Sequence, residues 1–361
     1  KNIKKLTVIN LDFGLETYRA SISREKLVEL AKLGPTDIEN IEFEDIKSFS
    51  DEAIVVENKY LYPSFYYEIV PHLVGTIQHQ EKFYFWGLDT TLRTEVGIRK
   101  GLFLTTNIGF RITDNFEDYD YHIPDGKLHH VRQDRRLYLK QGDKGIRNMS
   151  LDYFFSLHPD IYASLHVGIL EWMFGGYGGQ ILYKPENKHW ALGMDAYWVK
   201  QREFDQMFDF RWYETVTGFL SFYYDIPFYD LRLKTKAGAF LGKDKGVEVD
   251  ISRRFKSGAR VGARVALTDC NTICVGEGSF GKWIYFQLPM DAFYINSSTR
   301  KTTGYTWSPL TKDAGARLEV FDLFDITADA KDRIDIKRRK NWSFKKIVSG
   351  FSTTPVNKEW D

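Results

Sequence analysis

The chain has 361 residues, and its 50 Lys and Arg nearly cancel its 49 Asp and Glu to leave a net charge of +1, which excludes a nucleic-acid binder driven by bulk charge. No run of about eighteen apolar residues occurs, so a transmembrane helix is excluded. A mean hydropathy of −0.38 leaves a membrane barrel open, because half of each spanning strand faces a polar lumen, and an aromatic content of 16%, with 27 Phe, 21 Tyr and 9 Trp, suits interfacial belts.

In chain order, residues 1–59 read as a small α/β module. Leu6, Val8 and Leu11 predict a short strand, Tyr18 to Ile22 another, and Arg24 to Leu33 a helix that stops at Gly34-Pro35. Acidic residues crowd Asp37 to Glu57. An outer-membrane protein would hold such a module in the periplasm. It must also be exported, and no leader opens the chain, so Lys1 is expected not to be the native start.

Residues 60–330 read as strand after strand. A first runs from Tyr66 to about Ile77. Tyr84, Trp86, Leu88, Leu92, Val96 and Ile98 share a face in the second, with Asp89, Arg93 and Glu95 opposite. After Arg99-Lys100-Gly101, Leu102 to Phe110 return, and a long polar excursion follows from about Asp114 to Asn148. Leu151 to Leu157 and Ala163 to Ile169 flank a tight turn at His158-Pro159-Asp160, and the glycines of GGYGG, Gly175 to Gly179, read as a connection.

The stretch from His189 to Asp269 is the clearest. Trp190, Leu192, Met194, Ala196 and Trp198 share one face, with Gly193, Asp195 and Tyr197 on the other. Leu231, Leu233, Ala237 and Ala239 alternate with Arg232, Lys234 and Lys236; Val247, Val249 and Ile251 alternate with Glu248, Asp250 and Ser252; Val261, Ala263, Val265 and Leu267 alternate with Arg260, Gly262 and Arg264. Further strands are placed at Trp283 to Leu288, Thr302 to Ser308 and Ala316 to Ile326.

Alternation alone does not say which face meets water: a soluble sandwich turns the apolar face inward and a membrane barrel turns it outward. Three features favour the barrel. The strands are about ten residues long, whereas soluble strands average about five or six. Trp190 and Trp198 bracket the apolar face roughly 26 Å apart at about 3.3 Å per residue, as two aromatic girdles would; Trp86 is a third girdle candidate. Small Ala and Gly on that face suit lipid better than an interlocking core. Short connections alternate with long or glycine-rich ones, and the count comes to about 14 strands within a range of 12–16, with both ends at the rim of short turns. The fold expected is therefore an all-β, antiparallel, transmembrane outer-membrane barrel behind a small α/β module, followed by a basic tail over 331–361 that carries Lys337 to Lys340 and reads as a solvated extension.

Chemistry is sparse. His129-His130 lacks the spacing of a metal site. Ser279 in GEGSFG fails the nucleophile-elbow pattern because no helix follows it, and Glu277 reads as a loop residue. No catalytic residue, metal or cofactor is expected. Cys270 and Cys274 sit four apart; they either close a small disulfide in an oxidising compartment or are two incidental loop thiols. The lumen says more. Arg232, Lys234, Lys236, Arg260 and Arg264 project beside Glu248 and Asp250, with Asp195, Arg93 and Glu95 on neighbouring walls. Such a wall holds water and hydrogen-bonds a passing sugar chain, or it forms cross-strand ion pairs that stiffen the barrel.

The chain resembles the YjbH/GfcD family of outer-membrane proteins encoded with exopolysaccharide and group 4 capsule machinery. The likeness runs through TIQHQEKFYFWGL (76–88), ILEWMFGGYGGQILYKP (169–185), YWVKQREFD (197–205), LGKDKGVEVDISRRF (241–255), GEGSFGKWIYFQLPMD (276–291) and WSPLTKDAG (307–315), and covers roughly residues 60 to 326. Family members are longer, with a signal sequence and an amino-terminal part. The resemblance implies a non-enzymatic role in secreting or assembling a surface polysaccharide at the outer membrane, in contact with its lipid and beside periplasmic and lipoprotein partners. The alternatives are a lipid- or glycan-modifying barrel enzyme and a general diffusion porin.

Overall fold

The computed structural model describes residues 5–25, 28, 44–45, 62–77, 83–120, 128–185, 188–255, 259–270, 280–289, 302–307 and 313–334. The described residues form two antiparallel sheets. The small one is ordered β1 (Lys5–Asp12), β2 (Leu15–Ser23), β3 (Glu44–Asp45). Phe13 and Gly14 join β1 to β2 with φ of 50° and 77°, the left-handed pair that a two-residue hairpin demands.

The large sheet has 13 strands in strict sequence order: β4 (Ser64–Ile77), β5 (Tyr84–Arg99), β6 (Leu102–Asp114), β7 (Lys144–His158), β8 (Ile161–Ile169), β9 (Phe174–Tyr183), β10 (Trp190–Arg202), β11 (Phe210–Ile226), β12 (Leu231–Ala239), β13 (Lys245–Arg254), β14 (Arg260–Thr268), β15 (Gly281–Pro289) and β16 (Thr302–Trp307). Each strand pairs antiparallel with the next. Among the described residues no pairing closes β16 on β4, so the sheet is a curved wall and not a sealed barrel. Pro71 lies in β4, an edge strand, where its missing N–H leaves no gap in the ladder.

The period-two pattern becomes a two-faced wall. On β10, Leu192, Met194 and Ala196 point outward and are exposed, Met194 to 53%, while Ala191, Tyr197 and Val199 are buried. On β13, Val247, Val249 and Ile251 are exposed and Glu248, Asp250 and Ser252 buried. The apolar face is therefore the outer one, the inverse of a soluble sandwich. Among the described residues no helix is long and apolar enough to cross a membrane, which says nothing of strands.

Two segments fill the concave side. The excursion between β6 and β7 does not extend outward as a polar loop: it folds back through a 3-10 turn (Phe116–Asp118) and helix α1 (Arg135–Gln141), burying Phe116, Val131 and Tyr138. The second correction concerns Ala316 to Ile326. This stretch is not a strand; it runs irregularly from Ala316 to Asp322 and then enters helix α2 (Leu323–Ile334). Leu323, Phe324 and Ala328 supply helical and not alternating spacing, and Asp322 accepts the Phe324 N–H at 2.9 Å as a helix cap. GGYGG is likewise no connection but part of β9, the loop being Leu170–Met173. A Cβ on Gly176 would lie 2.1 Å from the Trp198 carbonyl oxygen, so only glycine permits the close pairing with β10 there.

The two ends of the interior have separate cores. At the rim of long loops, Val131, Tyr138, Leu170, Met173, Phe174, Tyr197, Val199, Tyr213, Leu241 and Ala316 cluster; at the rim of short turns, Leu15, Phe103, Phe154, Leu182, Ala191, Tyr223, Leu323, Phe324 and Ile326 do. Residues 313–328 thus thread the interior from one rim to the other. The β1–β2 tip also enters the short-turn core: the Phe13 ring lies 5.4 Å from that of Phe103, 5.0 Å from Phe154 and 5.3 Å from Phe321. A Cβ on Gly14 would meet the Gly101 nitrogen at 2.3 Å.

Candidate functional site

The site is the lane of charge between the inner wall and the threaded segment. Arg232, Lys234 and Lys236 on β12 and Arg260 and Arg264 on β14 alternate with apolar outward residues, so period two turns these five inward. The acidic residues of the threaded segment meet them there. Lys236 Nζ lies 3.0 Å from Asp322, Lys234 Nζ 2.6 Å from Asp325, and Arg260 3.8 Å from the same Asp325. In the other polarity, Arg317 of the segment sits 3.0 Å from Glu248, which Arg264 approaches at 3.6 Å. Tyr285 donates to Asp250 at 2.9 Å. Arg232 donates to Asp225 at 2.7 Å and lies 4.9 Å over the Phe324 ring, and Arg264 lies 4.2 Å over the Trp283 ring.

The lumen residues named from sequence therefore face the interior, and most already hold partners. Asp195 lines a cavity of about 10 Å³ with Gln180, Tyr223, Lys236 and Asp322, room for at most one water. Arg93 lies 3.6 Å from Glu68 and Glu95 is buried on the same wall. Trp86, Trp190 and Trp198 are on the outer face, Trp190 packing edge-on to Tyr183 at 5.8 Å and Trp198 stacking on Tyr177 at 5.4 Å. Cys270 is disulfide-bonded; Cys274, Glu277, Ser279 and the basic stretch Lys337–Lys340 lie outside the described residues.

The long-loop rim holds the segment's entry. Asp313 accepts the backbone N–H groups of Val131, Arg132 and Gln133 at 2.9, 2.7 and 3.0 Å, yet burial outweighs those donors and pushes its carboxyl up to about 6. Glu171 takes a bidentate pair from Arg132 at 2.6 and 2.9 Å and also accepts the Glu319 N–H at 2.9 Å. Burial raises the Glu171 pKa from its ordinary range. Gly315 donates to Asp244 at 2.8 Å. Beneath them Arg202, fully buried, donates to the carbonyls of Ile146, Glu171, Trp172, Gln206 and Met207. His129 stacks on Tyr213 at 3.9 Å and bonds Gln201 at 2.7 Å; burial lowers its pKa. His130 bonds Asp134 at 3.1 Å. Among the described residues no group of three His, Cys, Asp or Glu is arranged to hold a metal ion.

Sequence reading missed the partners of the lane, Asp322, Asp325 and Arg317, because it placed them on a strand. The spacing of Asp322 and Asp325, three apart beside Leu323 and Phe324, was the signal available. It also passed over a buried cluster on β7 and β8, Asp152, Ser164 and His166, whose members are unremarkable one by one.

The profile of the YjbH family, exopolysaccharide biosynthesis protein YbjH, matches residues 1–329. The chain belongs to this family. It is 34% identical over 272 residues to the uncharacterized lipoprotein YjbH of Escherichia coli (strain K12), an alignment that takes in 73% of this chain and 39% of that protein. The chain thus spans well under half the length of that YjbH relative. Of solved structures, Salmonella typhi OmpF in complex with daunomycin is similar at a TM-score of 0.33 and 14% identity, covering 64% of this chain and 85% of that one.

Proposed function

We propose that the large sheet is the wall of an outer-membrane β-barrel in a Gram-negative envelope, and that it takes part in secreting or assembling a surface exopolysaccharide. The observation that carries this reading is the inverted wall: exposed aliphatic residues outside, paired charges inside, on strands of 9 to 17 residues over β4 to β15. Strands of that length match a hydrocarbon layer, and the Trp190 and Trp198 clusters match its two interfaces. Membership of an exopolysaccharide biosynthesis family, and the lipoprotein name of the relative, support an envelope role beside periplasmic and lipoprotein partners.

In this reading the charged lane meets the sugar chain when the threaded segment moves. Lys234, Lys236, Arg260 and Glu248 would exchange carboxylate and guanidinium partners for sugar hydroxyls and carboxylates. A filled interior argues against a general diffusion porin, which liposome swelling with unrelated small sugars would reveal. Passage or assembly of the chain needs no bond-making chemistry from the wall. The test is deletion of the gene with separate measurement of surface and periplasmic polysaccharide: loss of the surface fraction is expected, and unchanged export overturns the reading.

A further inference from the structure

Ser164 and His166 are two residues apart on β8, so both point inward, and Asp152 on β7 is the register partner of His166. His166 Nδ1 lies 2.7 Å from Asp152 Oδ1, and His166 Nε2 lies 2.8 Å from Ser164 Oγ. An ionised carboxylate can only accept, so Nδ1 carries the proton and donates it. The Nε2 lone pair is then free to take the serine hydroxyl. Ser150 donates to the second Asp152 oxygen at 2.9 Å and fixes that carboxylate. This is the nucleophile, base and orienting acid of a hydrolytic triad, an arrangement recognised by geometry and not by order in the chain.

What covers the three groups is informative. Phe321 of the threaded segment stacks on His166 with ring centroids 6.5 Å apart, and Phe154 packs edge-on at 5.4 Å. The Phe321 carbonyl accepts a hydrogen bond from Gln180 Nε2, and Gln180 is the register partner of Ser164. A carbonyl oxygen therefore already rests on an amide donor beside the serine and histidine. That is the relation an acyl oxygen needs to an oxyanion donor.

We propose that Asp152, His166 and Ser164 form a latent ester-hydrolysing site that the threaded segment closes with Phe321, Gln180 supplying an oxyanion donor when Phe321 withdraws. The site faces the interior and not the lipid-facing side, so its substrate class is an O-acyl ester on a sugar chain; that choice rests on the glycan reading above. Ser164 Oγ attacks the acyl carbon while its proton passes to His166 Nε2. The carbon–oxygen bond to the sugar then breaks, and the sugar oxygen takes that proton. Water, deprotonated by Nε2, attacks the acyl-serine and releases a carboxylic acid, restoring Ser164. Asp152 is a positioning residue: it holds the tautomer and steadies the imidazolium.

The test uses full-length protein in detergent micelles. Ser164→Cys combined with Phe321→Ala should be alkylated by iodoacetamide at pH 7 at least tenfold faster than the same variant carrying His166→Gln, with its rate-against-pH midpoint below that of a free thiol. Adding Asp152→Asn should move that midpoint upward. A merely structural cluster predicts equal or undetectable rates with and without His166, and that result overturns the site. In the native serine background, a fluorophosphonate probe should label Phe321→Ala at least tenfold faster than wild type and should not label Ser164→Ala with Phe321→Ala. Equal labelling of all three overturns the nucleophile. Turnover of p-nitrophenyl acetate without turnover of an O-acetylated oligosaccharide would leave the hydrolytic site standing and overturn the glycan substrate class.

Discussion

The two faces of the same strands are built on different physics. The outer face is aliphatic and needs no particular partner: Leu220 is 65% exposed and Val216 63%, and any apolar neighbour satisfies them. The inner face is made of named ion pairs, Lys236 with Asp322 and Lys234 with Asp325 among them, in which each charge depends on particular residues far away in the chain. A face that depends on composition tolerates substitution by kind, whereas a face that depends on pairing tolerates it only in couples.

That difference sets the largest expected effect. Replacing Lys236 by Met leaves Asp322 without its closest cation, and replacing Asp322 by Asn leaves Lys236 buried without its carboxylate; each single change should cost about 3–5 kcal/mol, because an uncompensated buried charge remains. The double variant should recover much of that loss, since it buries neither charge. Urea unfolding of all four proteins in micelles, followed by tryptophan fluorescence, measures the coupling. Additive losses would show that the lane is not built on pairs.

On the outer face, Met194→Arg should cost roughly 2–4 kcal/mol by placing a charge near the bilayer midplane, while Asp195→Asn, one residue away, should fold normally. A packed protein core would also reject the arginine, so a second measurement separates the two. A nitroxide at position 194 should be broadened by oxygen partitioned into lipid. If that label were shielded from both oxygen and a water-soluble relaxant, the outer face would be a protein interface and the membrane reading would fall.

The contrast also explains what was legible in the sequence. Period two is a local signal, and β10, β12, β13 and β14 could be read from it with their inward charges, because neighbouring residues on one strand decide which face each side chain takes. The filling of the interior is not local. Asp313 grips Val131 to Gln133, some 180 positions earlier, and nothing in either stretch advertises the other. The expectation of a fourteenth strand at Ala316 to Ile326 brought the count to an even number and put both ends at the rim of short turns. The molecule instead threads that stretch through the interior and ends it in a helix. Asp152, Ser164 and His166 escaped notice because their relation exists only after β7 and β8 pair.

A smaller effect follows from the clamp at the long-loop rim. Burial pushes the Asp313 carboxyl up to about 6 from its ordinary 3.8, so the folded protein holds a proton there that the unfolded chain has released between about pH 4 and pH 6. Stability must fall as pH rises through that window, because the folded state binds more protons than the unfolded one. Below the window both states are protonated, and above it both are ionised, so the slope vanishes on either side. The cost at neutral pH is at most about 3 kcal/mol. Asp313→Asn keeps an oxygen to accept the three backbone N–H groups and removes the charge, so it should abolish this part of the slope while leaving the segment seated. Urea midpoints of the two proteins between pH 4 and pH 7 check it: the variant should gain over wild type as pH rises to 7, and parallel curves would mean that Asp313 is ionised throughout, its three donors outweighing its burial.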